Sequence, residues 1–263
     1  MDLARRCGRD AAGQIIAAMR LPPETANATT SRAILRRLNV AWLGHSTFLM
    51  TSPKGVRLLF DPFLTNNPSC PSAAKRVKAV DLILITHGHA DHCEDAANVA
   101  RETGATIVAS PELAAWVEKQ GAKHVRPMNI GGRQQVSGID IAMVPAVHSS
   151  GAPDGTYLGP ATGFVVRFEN DLKIYFAGDT ALFGDMRIIR DRYAPDVAFL
   201  PIGDRFTMGP EDAAIAAEWL GVKAIVPMHY GTFPELTGTP EELRTHAGPN
   251  GIDVLEFRPG DSA

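Results

Sequence analysis

The most constraining feature of this chain is a run of metal-binding residue types directly after an apolar segment. Residues 86–92 read Thr-His-Gly-His-Ala-Asp-His, and five of the six residues before them are apolar. Imidazole nitrogens and carboxylate oxygens suit a borderline divalent ion such as Zn²⁺. Because His87 and His89 are two residues apart in an extended chain, both side chains leave on the same face and can hold one ion. Asp91 and His92, where the chain turns out of the strand, are expected to hold a second ion.

A structural interpretation of these histidines has to be weighed against the metal site. A lone histidine after a strand is usually a surface residue or a hydrogen-bonded core residue, and tracts rich in histidine also occur in disordered chains. Such tracts do not follow an apolar strand of this quality. Three histidines and an aspartate at this spacing after a buried strand therefore indicate a metal site.

Size and composition exclude few folds, but they limit the kinds of binding partner that are expected. The chain has 263 residues, enough for one large domain or two small ones with an ample core. A net charge of −3 gives no global attraction to nucleic acid or anionic membrane, so a nucleic-acid partner is not expected. No apolar run approaches the ~20 residues of a membrane span. Three cysteines without paired spacing (Cys7, Cys70 and Cys93) predict a reducing, cytoplasmic location.

Residues 1–38 are interpreted as an N-terminal extension that precedes the first predicted strand. They are rich in arginine and alanine and are interrupted by a Pro-Pro pair. Acidic residues weaken the likeness to a transit peptide, so we expect two short surface helices at 9–20 and 30–38. The remaining residues, 39–263, are expected to form one domain.

From Asn39 onward, short apolar strands alternate with helical stretches. Two helices, at 111–120 and 210–220, begin with proline in the first turn and stop before glycine. The same alternation of strands and helices occurs in two halves of the sequence, which we place at roughly 39–160 and 161–263. This pattern predicts an α+β fold in which two sheets pack face to face with helices outside.

Other metal-binding residue types also stand where predicted strands end. Each residue of this group closes a strand or lies in a turn beside one: His45, Asp61, His148, Asp179 and His229. Taken singly, such a residue is more often a hydrogen-bonded group at a strand end. In a layered fold, however, strand ends border the place where loops converge. Their recurrence beside the 86–92 run therefore favours one shared site.

The order of these motifs resembles the metallo-β-lactamase superfamily. The run from His87 to His92 is preceded by Asp61 and followed in order by His148, Asp179 and His229. This resemblance covers about residues 39–260 and implies a four-layer αββα sandwich with a dinuclear metal site at one edge of the sheets. The segments 42–46, 61–68 and 201–213 are similar to bacterial metal-dependent hydrolases related to ascorbate-6-phosphate lactonase.

The resemblance also implies two divalent ions per chain, most often Zn²⁺, with Mn²⁺ or Fe²⁺ as alternatives. The implied ligands are His87, His89 and His148 for the first ion, Asp91, His92 and His229 for the second, and Asp179 between them. Asp61 would orient a ligand or the metal-bound water. His45 would bind substrate or shuttle a proton, and its alternative is a hydrogen-bonded structural histidine at a hairpin turn.

The chemistry expected of such a site is hydrolysis. Two ions about 3.5–4 Å apart can bring the pKa of a shared water from about 15.7 to near 7. We therefore expect this metal-bound hydroxide to cleave a small-molecule ester, lactone or phosphoester. Asp91 or Asp179 would orient the nucleophile, and His45 would protonate the leaving group. A Gly-x-Ser-x-Gly motif is absent from the sequence, which argues against a covalent acyl-enzyme.

The substrate stays open at this stage. The loop 149–160, which contains Tyr157, is expected to rim the pocket, and Arg205 to receive an anionic group or to be a solvated surface residue. Two alternatives remain: a phosphodiesterase acting on a nucleotide or a phospholipid-like ester, and a metal-bound binding protein whose catalysis has lapsed. The subgroup resemblance also implies a homo-oligomer, without support from any particular residue.

Overall fold

The structure, a computed structural model, describes Leu35 and residues 38–262. The strands are β1 (Asn39–Trp42), β2 (Phe48–Thr51), β3 (Arg57–Phe60), β4 (Leu82–Leu84), β5 (Thr106–Ala109), β6 (Val125–Pro127), β7 (Arg133–Val136), β8 (Ile139–Pro145), β9 (Thr162–Arg167), β10 (Lys173–Phe176), β11 (Val197–Pro201), β12 (Ala224–Met228) and β13 (Asp253–Val254). The α-helices are α1 (Ala90–Cys93), α2 (Ala96–Thr103), α3 (Pro111–Lys119), α4 (Met186–Tyr193), α5 (Pro210–Leu220) and α6 (Pro240–Ala247).

The strands form two mixed sheets with the same organisation. The first sheet has the order β1-β2-β3-β4-β5-β6, antiparallel as far as β3 and parallel from β3 to β6. The second has the order β13-β12-β11-β10-β9-β8-β7, antiparallel from β7 to β10 and parallel from β10 to β13. The predicted α+β sandwich of two sheets with helices outside is thereby confirmed.

The boundary predicted between the halves was wrong. The halves were placed at 39–160 and 161–263, but β7 and β8 belong to the second sheet, which begins at Arg133. The reason is local pairing: β8 pairs with β9 over six residues across the loop that separates them, and β7 forms a hairpin with β8. The first sheet therefore ends at β6.

Phenylalanine rings from both sheets fill the space between them. The ring of Phe176 on β10 stacks on that of Phe60 on β3, with 4.4 Å between centroids. Phe48 on β2 meets Phe176 and Phe199 edge to face. All four side chains are fully buried. Alternate residues of the strands thus face the opposite sheet, and burial of these large apolar rings holds the layers together.

The segment after β4 forms two helices rather than one. α1 begins within the histidine motif, and α2 follows after a break at Glu94 and Asp95. The amide of Asp95 donates to the carbonyl oxygen of Pro62 at 3.1 Å rather than to the preceding helical turn. This contact with the loop after β3 accounts for the break.

The helices predicted at 9–20 and 30–38 lie outside the described residues, apart from Leu35 and Leu38. Both of these leucines are buried in the hydrophobic cluster that contains residues of both sheets. Among the residues that the structure describes, no helix has the length and apolar character needed to cross a bilayer.

The phenylalanine cluster generates a prediction about stability. Phe176→Ala removes a fully buried ring that contacts three others, so the free energy of unfolding should fall by about 3–5 kcal/mol. Urea denaturation measures this. Phe206→Ala is the matched control, because the Phe206 side chain is 55% exposed and its loss should change stability by less than about 0.5 kcal/mol. Equal effects of the two substitutions would contradict this account of the core.

Candidate metal centre

Strand direction brings the predicted site residues to one edge of the sandwich. In the first sheet β1, β3 and β4 run in the same direction, and in the second sheet β8, β10 and β12 do. The ends of these strands lead directly to the residues in question, which are His45, Asp61, His87, His148, Asp179 and His229. The site thus follows from the topology, since the carboxyl ends of parallel strands meet at the same edge.

The backbone is unusual at several of these positions. His45, Asp61 and His229 have φ values of 56°, 43° and 56°, in the left-handed region that residues with a side chain rarely adopt. Gly178, which precedes Asp179, has φ 63°, and a Cβ there would lie 2.6 Å from the Cβ of Thr86. Glycine is therefore required for the second sheet to approach the first so closely. Backbone strain of this kind concentrates at functional sites.

The first group of ligand-type side chains contains three histidines. Nε2 of His87 lies 3.0 Å from Nδ1 of His89. The ring of His148 lies 5.1 Å, between centroids, from each of the other two rings. One nitrogen from each histidine lies within 4.8 Å of the others, so the three can hold one ion.

The second group contains His45, Asp91, His92 and His229. One ligand atom from each lies within 4.8 Å of the others. Nε2 of His45 is 3.1 Å from Oδ2 of Asp91, and the rings of His45 and His229 are 4.0 Å apart. The ligand set implied by the resemblance did not include His45, yet the structure puts it inside this group.

Asp179 lies between the two groups. Its Oδ2 is 3.0 Å from Nε2 of His229 and 3.6 Å from Nε2 of His148, and its Oδ1 is 3.3 Å from Nε2 of His92. The carboxylate is almost fully buried. It therefore contacts both groups and is placed as a bridging ligand would be.

A second layer of polar residues fixes which ring nitrogens face inward. Asp61 accepts hydrogen bonds from Nδ1 of His92 at 2.8 Å and from the hydroxyl and amide of Thr86, each at 2.8 Å. Since the Thr86 hydroxyl proton goes to Asp61, Nδ1 of His87 must donate to Thr86 Oγ1, 3.0 Å away. His87 then keeps an unprotonated Nε2 toward the cluster. Burial opposes charge on His92, but Asp179 and Asp61 outweigh it and raise its pKa well above the usual value, so a metal ion bound there would displace the proton on Nε2 of His92.

The loop after β8 supplies a similar contact to the first group. Ser149 Oγ lies 3.3 Å from Nε2 of His89, which leaves Nδ1 of that ring facing His87. Sequence reasoning missed Thr86 and Ser149 as orienting residues. Thr86 is adjacent to the histidine motif and Ser149 to His148, but a hydroxyl next to a ligand has no distinctive pattern.

The electrostatics of the cluster favour a cation. Burial opposes charge on Asp179, but His229 and His92 outweigh it and hold its pKa well below the usual range. Burial likewise opposes charge on Asp91, and its hydrogen bond with His45 nevertheless brings the pKa down. Burial and the neighbouring His92 keep the pKa of His87 well below normal, so this ring is neutral and free to donate a lone pair. Ionised carboxylates beside neutral imidazole form a cation site.

Two buried polar atoms support the same conclusion. Nε2 of His92 and Oδ1 of Asp179 have no hydrogen-bond partner among the described residues, although they are only 3.3 Å apart. Buried polar atoms of this kind are normally satisfied. A divalent ion would satisfy both, and the nitrogen and oxygen donors around it fit Zn²⁺ and similar metals.

The predicted rim residues lie outside the cluster. Tyr157 is 65% exposed on the loop after β8. Arg205 is exposed on the loop after β11, with its guanidinium 5.3 Å from the ring of Phe206. Contact of Tyr157 or Arg205 with a substrate stays a prediction.

Comparison with known proteins agrees with this geometry. Residues 56–230 match the family described as beta-lactamase superfamily domain. A UPF0173 metal-dependent hydrolase of Koribacter versatilis is 49% identical over 231 residues, covering 87% of this chain and 98% of that protein. A second, from Rubrobacter xylanophilus, is 50% identical and covers 84% and 94%. Igni18, a metallo hydrolase of Ignicoccus hospitalis, has a solved structure with a TM-score of 0.76 and 35% identity, covering 86% of this chain and 97% of that one.

The chain belongs to the metal-dependent hydrolases of the metallo-β-lactamase superfamily. The resemblance drawn from the sequence is thus confirmed at this level, and with it the hydrolase class. The narrower likeness to ascorbate-6-phosphate lactonase remains a prediction. So do the number and identity of the metal ions and the role of each ligand in this hydrolase.

The contacts of Asp61 generate a prediction about metal affinity. Asp61→Asn keeps the size of the side chain but weakens the acceptor that fixes His92 and Thr86. Metal affinity should therefore fall about 10–100-fold, as measured by competition with a chromogenic chelator. Asp140→Asn is the control, since Asp140 pairs with Arg133 on β7 and lies in the second sheet away from the cluster. Unchanged affinity in folded Asp61→Asn protein would refute the orienting role.

Proposed function

We propose that this chain is a dinuclear metal-dependent hydrolase that cleaves a small-molecule ester, lactone or phosphoester. The observation that carries the proposal is the position of Asp179 between two groups of ligand-type side chains. The first group would hold one ion, and Asp91, His92 and His229 of the second group would hold the other, as the resemblance implies. Zn²⁺ suits this donor set best, with Mn²⁺ and Fe²⁺ as alternatives.

The protein's own residues would prepare the reaction. Two ions bound here would lower the pKa of a shared water toward neutral and polarise the substrate oxygen. Asp179 and Asp91 would orient the attacking oxygen, because both carboxylates lie among the ligands and are held ionised. Thr86, Asp61 and Ser149 would hold the imidazoles in the tautomers that face the cluster.

His45 is proposed to position Asp91 rather than to protonate a leaving group. Its side chain is fully buried, and its Nε2 is engaged with the carboxylate of Asp91 at 3.1 Å. Burial and the neighbouring His229 lower its pKa to about 4, so the ring is neutral near pH 7. A neutral ring that already donates its proton to Asp91 is a poor general acid, which supports the positioning role.

The same proposal includes a cytoplasmic location, supported by three cysteines without paired spacing. The homo-oligomer implied by the subgroup resemblance is kept as a prediction. Oligomeric state can be measured on the purified protein by light scattering.

The first test measures metal content per chain on protein purified without chelator, together with hydrolysis of a lactone and phosphodiester panel. We expect two ions per chain and turnover of one bond class. His89→Ala should lose metal and hydrolysis together. His246→Ala is the matched control, because His246 is an exposed histidine on α6. A folded protein that binds no added Zn²⁺ or Mn²⁺ and hydrolyses nothing would overturn the proposal in favour of a binding protein. Turnover of nucleotide or phospholipid-like diesters alone would favour the phosphodiesterase.

The role of His45 can be tested separately. His45→Ala should still bind two ions when metal is in excess, while kcat falls because Asp91 loses its hydrogen-bond donor. His45→Gln retains an N–H near the position of Nε2 and should recover part of kcat. Metal content and kcat at saturating metal are the measurements. If His45→Ala lost an ion even in excess metal, His45 would be a ligand; if His45→Gln gave no recovery, donation to Asp91 would not be its function.

A further inference from the structure

Exposed apolar side chains on this protein are concentrated near the metal centre. Among the described residues, the exposed large hydrophobic side chains are Ile130, Val147, Tyr157, Ile188, Phe206 and Phe233. Single exposed hydrophobic residues are ordinary and need no explanation. Four of these six, however, lie on loops that border the metal-binding residue types. We call Val147, Tyr157, Phe206 and Phe233 the apolar rim.

Two members of the apolar rim flank the first histidine group. Val147 immediately precedes His148, and its amide donates to Thr180 Oγ1 at 3.0 Å, beside Asp179. Tyr157 precedes Leu158, whose side chain fills the space over Gly88; a Cβ on Gly88 would lie 2.5 Å from Leu158 Cδ1. Since Gly88 separates the two histidines of the motif, the loop that carries Tyr157 packs against the motif.

The other two members flank the second group. The ring of Phe233 lies 5.7 Å from that of His45 and 6.4 Å from that of Phe63. Phe206 lies in the turn before Met208, whose amide donates to the carbonyl oxygen of Thr180 at 3.0 Å, next to Asp179. The apolar rim therefore draws on three separate loops around one buried polar cluster.

We infer that the apolar rim binds an alkyl or aryl group of the substrate, next to the bond that the metal centre hydrolyses. This inference rests on the proposed function. Binding pockets typically place apolar side chains around a few convergent polar groups, and here exposed apolar side chains lie on the loops around the polar cluster. An apolar substituent held by the rim would bring an adjacent ester, lactone or phosphoester to the cluster.

The test uses straight-chain hydroxamic acids, because a hydroxamate binds metal and its chain then reports on the rim without turnover. Acetyl, hexanoyl and decanoyl hydroxamic acids are titrated by calorimetry into the metal-loaded protein. Each methylene that the rim buries should tighten Kd about fourfold, until the chain extends past it. Phe233→Ala and Tyr157→Ala should reduce this dependence on chain length while metal content, measured in parallel, stays constant. Ile188→Ala is the matched control, since Ile188 is 60% exposed on α4, outside the rim.

The outcomes separate this inference from the proposed function. Tight binding of the acetyl compound with no gain from longer chains would overturn the inference and leave the metal centre intact. A gain with chain length that is unchanged in both rim variants would also overturn it, since the chain would then bind elsewhere. Wild-type binding to phosphatidylcholine vesicles that both rim variants lose, without any chain-length effect, would assign the rim to a lipid surface. Failure to bind metal would refute the proposed function itself and this inference with it.

Discussion

The metal centre depends on the contacts between the buried carboxylate of Asp179 and the surrounding histidines. It is buried between imidazoles delivered by both sheets, and it lies within 3.0–3.6 Å of nitrogens from His229, His92 and His148. A buried carboxylate is unstable alone and needs compensating partners. The surrounding histidines supply part of this compensation, and bound metal would supply the rest. The site and the fold are therefore coupled, because the charge that the site needs must be held by groups from two separate sheets.

Thr86 fastens the two sheets at this edge. Its carbonyl oxygen accepts hydrogen bonds from the amide of Thr162 at 3.0 Å and from its hydroxyl at 2.8 Å, both from the second sheet. Its own hydroxyl and amide donate to Asp61, and Gly178 leaves room for its side chain. Thr86 therefore contributes both to holding the two sheets close together at this edge and to orienting the ligands. A larger side chain at either Thr86 or Gly178 would move the ligand-type residues of the second sheet away from those of the first.

The sequence predicts the parts of this arrangement that follow from periodicity and order. Helical segments bounded by proline and glycine predicted α3 and α5 close to their observed limits, because burial and capping act locally. Strand ends then located His148, Asp179 and His229 at one edge. The division between the sheets was misplaced. The pairing of β8 with β9 joins strands on either side of a loop, and the local sequence of that loop does not show which strands pair. The involvement of His45 with Asp91 was missed for the same reason: it joins residues 46 positions apart.

The strained backbone of the site explains why such contacts escape local rules. His45, Asp61 and His229 all adopt left-handed conformations that residues with a side chain rarely adopt, so local preference alone would not predict them. Tertiary contacts hold them there: the amide of His229 donates to the carbonyl oxygen of His45, which also accepts from the indole of Trp42. This conformation turns the imidazoles of His45 and His229 inward while the strands behind them stay regular. The strained positions lie at the ends of strands. The side chains of the apolar rim lie on loops that follow strands around the metal centre. A rigid edge holding the ligands and variable loops around it would let one fold keep its metal chemistry while the loops determine which substrate reaches it.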